Sequence, residues 1–383
     1  MRPPVFLILE RRPMNSDRLL NLFFHLVRIE SPSRGEGAMA AFCARELQRL
    51  GFMVTFDDSM AKTGSETGNL VATRKGDVDG EVILSAHLDT VTPCRNIDPI
   101  IEDGRIVSAG KTILAADDKA GIAAILEAVR TLVELGEPMP TVTVLFTVCE
   151  EISLVGAANF DAGLLPEGAP CYVLDADGAP GSVIVAAPCH RTVRAHFHGR
   201  AAHAGVEPEL GNSAIAMAAR AIAAMPLGRL DDATTSNIGV IEGGAEENIV
   251  PRDCLVRGEC RSLLSARADE VQAAMTASLT AAAEEAGGEV TVEWHEDYPA
   301  VSYAEDDALV QGIAAACDAA GLAFKPHRSG GGADANILAS RGVRAVTLGI
   351  GMTNFHTLDE YITVTDLQDI TRLAEELIRQ AVK

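Results

Sequence analysis

Two adjacent glutamates, Glu150 and Glu151, follow the strand-like run from Thr141 to Val148. No other feature of the chain limits its fold so tightly. Buried strands rarely end in two carboxylates, because neighbouring like charges repel and are costly to desolvate. A positive group has to stand at that end. Two further apolar segments border residues of metal-ligand type. The run from Glu81 to Ala86 leads into His87-Leu88-Asp89, and Ala115-Ala116-Asp117-Asp118 opens an apolar helical stretch. The combination implies a metal-dependent hydrolytic site.

Around these segments, strands and helices alternate. Helical spacing runs from Ser16 to about Ile29, and again from Glu36 to Leu50, stopping at Gly51. Strand-like runs and helical stretches then follow in turn as far as Leu174. Such alternation predicts an α/β fold, a mixed sheet with helices on both faces. Ligands of such sheets gather at the carboxyl ends of strands, where His87, Glu150, Glu151 and Asp175 all fall. The texture changes near Pro188. Residues 189–301 read as β-α-β-β-α-β, which predicts a ferredoxin-like α+β insert. A chain of 383 residues accommodates two domains. The expected division is a catalytic domain over 14–188 and 302–383, interrupted by an inserted lid over 189–301. Residues 1–13 read either as a loosely attached arm or as a mis-called start.

The net charge of −22 argues against nucleic acid or an anionic membrane surface as partner, since both demand basic patches. No run is long and apolar enough to predict a membrane span. The eight cysteines form no CxxC pair and read as reduced thiols packed in a cytoplasmic protein. His196 and His198 alternate on one strand and read as a solvated face.

A two-metal hydrolytic centre needs a bridging carboxylate and further His or carboxylate ligands on each ion. Asp117 is placed to bridge, His87 and Asp175 to hold one ion, and Glu151 and His356 to hold the other. Two divalent ions are then balanced by three ligand carboxylates and one hydroxide. That leaves Glu150 free as general base, and Asp89, two residues after His87, to orient the imidazole. Asp175 is preferred to Asp177 because it directly follows the apolar strand.

In these motifs the chain resembles the M20 co-catalytic zinc peptidases. The residues that carry the resemblance are His87-Leu-Asp89, Ala115-Ala-Asp-Asp-Lys-Ala-Gly121, Cys149-Glu-Glu-Ile-Ser-Leu-Val-Gly-Ala157 and Asn354-Phe-His356. Within that family the peptidase T-like, tripeptide aminopeptidase-like branch is nearest, over residues 14–383. The resemblance implies a zinc-exopeptidase-like sheet, the same metal ligands, a cis peptide after Asp117, and Glu150 with Asp89 as the catalytic pair. It implies two divalent ions, zinc first with cobalt or manganese as alternatives, a short peptide substrate, and a homodimer formed through the insert. It further implies that His203 reaches a partner subunit's active site to stabilise the oxyanion, and that Asn248 and Arg261 hold substrate. The loop Ser329–Asp334, with Gly331, resembles the family's glycine-rich substrate loop, although Arg328 stands further from the glycines than in the peptidase T pattern. That departure leaves a carboxypeptidase or an N-acyl amino acid deacylase as the alternative activity.

Overall fold

A computed structural model describes residues 14–382, so the segment 1–13 lies outside the described residues. The chain divides into two units. The first comprises the described residues up to Ile184, Glu305–Pro326 and the described residues from Ala333, and the second comprises Val185–Ala304 and His327–Gly332. The division falls a few residues from the expected boundaries. The segment His327–Gly332, expected in the catalytic part, belongs instead to the second unit. The physical reason is local pairing: the Ser329 N–H donates to the Ala186 carbonyl at 2.9 Å, and the Gly332 N–H donates to the Tyr298 hydroxyl at 3.1 Å.

The first unit is built on a mixed sheet. Its strand order is Met53–Phe56, Leu70–Arg74, Thr141–Thr147, Glu81–His87, Pro170–Ala176, Arg344–Gly349, then Ser182–Ala187. Thr141–Thr147, Glu81–His87, Pro170–Ala176 and Arg344–Gly349 run parallel, so their carboxyl ends share one edge. His87 is in register with Thr147, which brings the histidine and the glutamate pair to that edge together. The helix Ala116–Leu135 is buried along most of its length, which its nearly continuous apolar sequence requires. It closes on Gly136, whose φ of 64° is the left-handed cap that glycine adopts without strain. At its other end Gly121 lets the helix approach the sheet. A Cβ there would sit 2.4 Å from the Leu174 carbonyl oxygen.

The second unit is a five-stranded antiparallel sheet in the order Gly228–Asp231, Thr234–Gly243, Asp253–Ser262, Cys189–His198, Glu289–Tyr298. The helices Ala214–Ala224 and Ser265–Glu285 pack on one face, against Val193, Ala195, Phe197 and Val256. Alternation along Cys189–His198 sends Val193, Ala195 and Phe197 inward and leaves Arg194, His196 and His198 on the other face. Each buried valine or phenylalanine of this core contributes about 1.5–3 kcal/mol of burial. The element order is the β-α-β-β-α-β of a ferredoxin-like insert, with the short strand Gly228–Asp231 added at one edge. Among the described residues, no helix is long and apolar enough to cross a membrane, and all eight cysteines are buried and free.

Candidate active site

The polar edge of the first unit gathers residues from five segments of the chain. His87 closes its strand, and its Nε2 lies 2.9 Å from Asp117 Oδ1 and 3.4 Å from Asp175 Oδ1. His356 Nε2 lies 3.1 Å from Asp117 Oδ2 and 2.8 Å from Glu151 Oε2. Asp117 therefore stands between two sets, with one oxygen toward His87 and Asp175 and the other toward His356 and Glu151. Ligand atoms around a tetrahedral ion with bonds of about 2.0–2.1 Å lie about 3.3 Å apart. The donor set fits divalent ions in a second respect. Glu151 Oε1 is buried and has no hydrogen-bond partner, as a carboxylate oxygen waiting for a cation would be. Asp177 is exposed, whereas the Asp175 side chain is only 6% exposed.

The electrostatics are those of crowded acids. Desolvation pushes Glu150 well above the usual carboxylate range, and the neighbouring Asp175 adds to the shift. Desolvation raises Asp175 to about 7, although His87 opposes it. Desolvation also acts on Asp117, but hydrogen bonds with His356 and His87 outweigh it and hold that acid below the ordinary range. His356 is raised to about 10 by its hydrogen bonds with Asp117 and Glu151.

The loops that carry these groups are unusual. Ala115, Cys149, Asn354 and His356 all have φ between 54° and 63°, a region that non-glycine residues rarely occupy outside constrained sites. The Asp117–Asp118 peptide is cis. Buried acids hold this backbone in place. Glu360 accepts the N–H groups of Leu114, Ala115 and Asp117 at 2.9, 2.8 and 3.1 Å. Glu36 accepts the Cys149 N–H at 3.0 Å. Asp118 accepts the N–H groups of His87 at 3.1 Å and Gly121 at 3.2 Å, and stands near enough to His87 and Asp175 to be a further ligand candidate. Asp334 accepts the Thr147 hydroxyl and is raised to about 6 by desolvation.

Asp89 differs from expectation. His87 Nδ1 lies 2.9 Å from the main-chain carbonyl of Asp89 and 3.5 Å from its carboxylate. The carboxylate instead accepts the N–H groups of Glu150 at 2.9 Å and Glu151 at 3.3 Å, together with the Ser33 hydroxyl at 2.7 Å. A two-residue offset put Asp89 beside the imidazole, and the chain turned so that its carbonyl faces the ring. Sequence reasoning also missed Glu36, Asp118, Asp334 and Glu360. An acid at a helix start reads as a cap, which is how Glu36 and Asp334 disguise themselves. Glu360, four residues past His356, carried a proximity signal that went unused.

The remaining expected residues lie in the second unit, in two groups. His203 is exposed in a loop whose Ala204 N–H donates to the Asn248 carbonyl at 2.9 Å. Arg261 donates to Glu259 Oε2 through Nε at 3.2 Å and Nη2 at 3.0 Å, and to the Gly330 carbonyl at 3.4 Å. With Arg229 and Arg328 it lines a cavity of about 250 Å³. The Gly331 N–H donates to the Ser329 hydroxyl at 3.0 Å. The groups sit at opposite ends of the sheet. His203 and Asn248 lie beyond the Asp253↔His198 pair, and Arg261 is opposite His190. Along the strand Asp253–Ser262 between them, the stretch from Asp253 to Arg261 covers about 26 Å at roughly 3.3 Å per residue.

The chain is similar to known proteins over nearly its whole length. The structure is similar to that of aminopeptidase PepT from Bacillus cereus (TM-score 0.90, 40% identity, covering 97% of this chain and 100% of that one). It is also similar to a tripeptidase from Staphylococcus aureus (TM-score 0.93, 34% identity, covering 97% and 100%). An uncharacterized protein of Bacillus subtilis, YqjE, is 39% identical over 97% of this chain and all of its own length. Residues 83–380 match the model of peptidase family M20/M25/M40, and with a match of that extent the chain belongs to that family and is a hydrolase.

Proposed function

We propose that the protein is a di-metal exopeptidase that hydrolyses short peptides from their amino end, as a tripeptide aminopeptidase does. One observation carries this reading: Asp117 stands between two ligand pairs while Glu150 beside them is not drawn into either. His87 and Asp175 would hold one divalent ion and Glu151 and His356 the other, with Asp117 shared and zinc the first choice over cobalt or manganese. Ions bound there would polarise the scissile carbonyl and acidify the attacking water.

The chain's own groups do the rest. The Glu150 carboxylate takes a proton from the attacking water and delivers it to the leaving amine nitrogen. Asp89 fixes the backbone of Glu150 and Glu151, so that the base and a ligand keep their spacing. The cavity that Arg261, Arg328 and Arg229 line together with Asp232 offers more positive than negative groups to a substrate carboxylate, and Arg328 and Arg229 can form guanidinium hydrogen bonds with it. His203 serves as an oxyanion donor to a partner subunit's site, and Asn248 beside it holds substrate. The separation of these groups at opposite ends of one sheet supports that exchange in a homodimer, because a single short peptide does not span it. The buried free cysteines suit a reducing, cytoplasmic location.

The names of the two solved neighbours, an aminopeptidase and a tripeptidase, favour the amino-end direction. The test is a panel of tripeptides with free ends, blocked amino ends and amidated carboxyl ends, together with N-acyl amino acids. Each is assayed after chelation and re-addition of zinc, cobalt or manganese. Free tripeptides should be cleaved only with metal restored, and blocking the amino end should remove activity. Cleavage of N-acyl amino acids in preference to tripeptides would sink the aminopeptidase reading in favour of a deacylase.

A further inference from the structure

We infer that the second unit carries a separate site for a divalent transition-metal ion, formed by His196, His198 and Asp253. The two histidines alternate on the strand Cys189–His198, on the face away from Val193, Ala195 and Phe197. Alternation alone makes them two solvated imidazoles. Register adds the third group, since Asp253 on the neighbouring strand pairs directly with His198. Asp253 Oδ1 lies 3.3 Å from His198 Nδ1 and 3.7 Å from His196 Nε2. The two rings have centroids 4.2 Å apart, and one ligand atom from each of the three residues lies within 4.8 Å of the others. An ion with bonds of about 2.0–2.1 Å needs its ligand atoms about 3.3 Å apart, so two edges of the ligand triangle are already near that length.

The other carboxylate oxygen of Asp253 accepts from Arg252 Nε at 2.9 Å. This outer contact leaves Oδ1 for the imidazoles, as supporting partners do around metal ligands. Two imidazoles and one carboxylate favour zinc, nickel, copper or cobalt over magnesium or calcium. His196 and Asp253 line a cavity of about 500 Å³ that also takes in Glu242 and Arg252. An ion held here would keep open positions for water or an exchangeable ligand. None of the three residues belongs to the Asp117 set, so the inference stands whether or not that centre works as proposed.

The experiment compares the full chain with the His196→Ala/His198→Ala double variant and with Asp253→Asn. Each is dialysed to equilibrium against micromolar zinc, and metal per chain is measured by mass spectrometry, with circular dichroism to check folding. The wild type should hold one ion more than the double variant, whatever number the catalytic unit retains. Asp253→Asn should weaken that extra ion by 10-fold or more, and peptide hydrolysis should be the same in all three. Equal zinc content in the folded wild type and double variant would overturn the site. So would an extra ion whose affinity Asp253→Asn leaves unchanged, since the carboxylate would then not be a ligand.

Discussion

The two units place most of their candidate groups in different physical settings, although His356 of the first is itself exposed. At the edge of the first, His87, Asp117 and Asp175 have almost no exposed side chain. The left-handed residues Ala115, before Asp117, and Cys149, before Glu150, donate their N–H groups to Glu360 and Glu36. In the second, His203, Asn248 and Arg328 are exposed, and Arg261 is half-exposed. Chemistry that moves protons and polarises a carbonyl gains from a low-dielectric, rigid setting. Recognition of a flexible peptide gains from accessible side chains that solvent keeps charged.

That contrast orders what substitutions should do. Glu150→Gln keeps shape and removes the proton acceptor, so kcat should fall by about 10²–10⁴-fold while metal content stays at the wild-type level. Unchanged kcat would remove Glu150 from the mechanism. In the second unit the effects should separate by parameter. His203→Ala should lower kcat by about 10²–10³-fold, the usual effect of losing an oxyanion donor. Arg261→Ala should mainly raise KM, by roughly 10–100-fold for the loss of a charge-assisted contact. Equal effects on both parameters in both variants would erase the assigned difference.

Next in size, Glu360→Ala strands three buried N–H groups, at about 1–3 kcal/mol for each group left unpaired. Thermal melting should show the loss, and Glu360→Gln, which keeps an acceptor oxygen, should recover much of it. A melting curve like the wild type for Glu360→Ala would mean that the strained loops hold themselves.

The smallest effect concerns His190. Its imidazole lies between Asp297, at 2.9 Å, and Glu259. Burial works against its proton, but these two carboxylates more than compensate, so its pKa is raised. A histidine whose folded pKa lies above its unfolded value of about 6.5 stabilises the fold fully below that pH. It loses the contribution as pH rises through the folded pKa. His190→Gln should therefore flatten the stability of the second unit across that window, as denaturant melts at several pH values would reveal.

Much of the first unit could be read from the chain, because a parallel strand announces its own end. An apolar run that stops at His87 or Glu150 marks both a strand and a site. What could not be read depends on contacts between residues far apart in sequence. Glu360 reaches back 243 residues to the Asp117 N–H, and no spacing rule carries that distance. Asp89 was read as near the imidazole, but which of its atoms faces the ring is decided by the chain's turn. The segment His327–Gly332 was assigned by its neighbours in sequence, whereas its hydrogen bonds to Ala186 and Tyr298 decide its place. His196 and His198 looked idle until register supplied Asp253, 55 residues downstream of His198.

The length of the strand Asp253–Ser262 has a genetic consequence in the proposed dimer. If His203 serves the partner's substrate and Arg261 its own, damage at either position disables both sites of a uniform dimer. A mixed dimer of one His203→Ala chain and one Arg261→Ala chain concentrates both lesions in one site and leaves the other whole. In that proposed dimer, two impaired alleles expressed together would thus partly rescue each other.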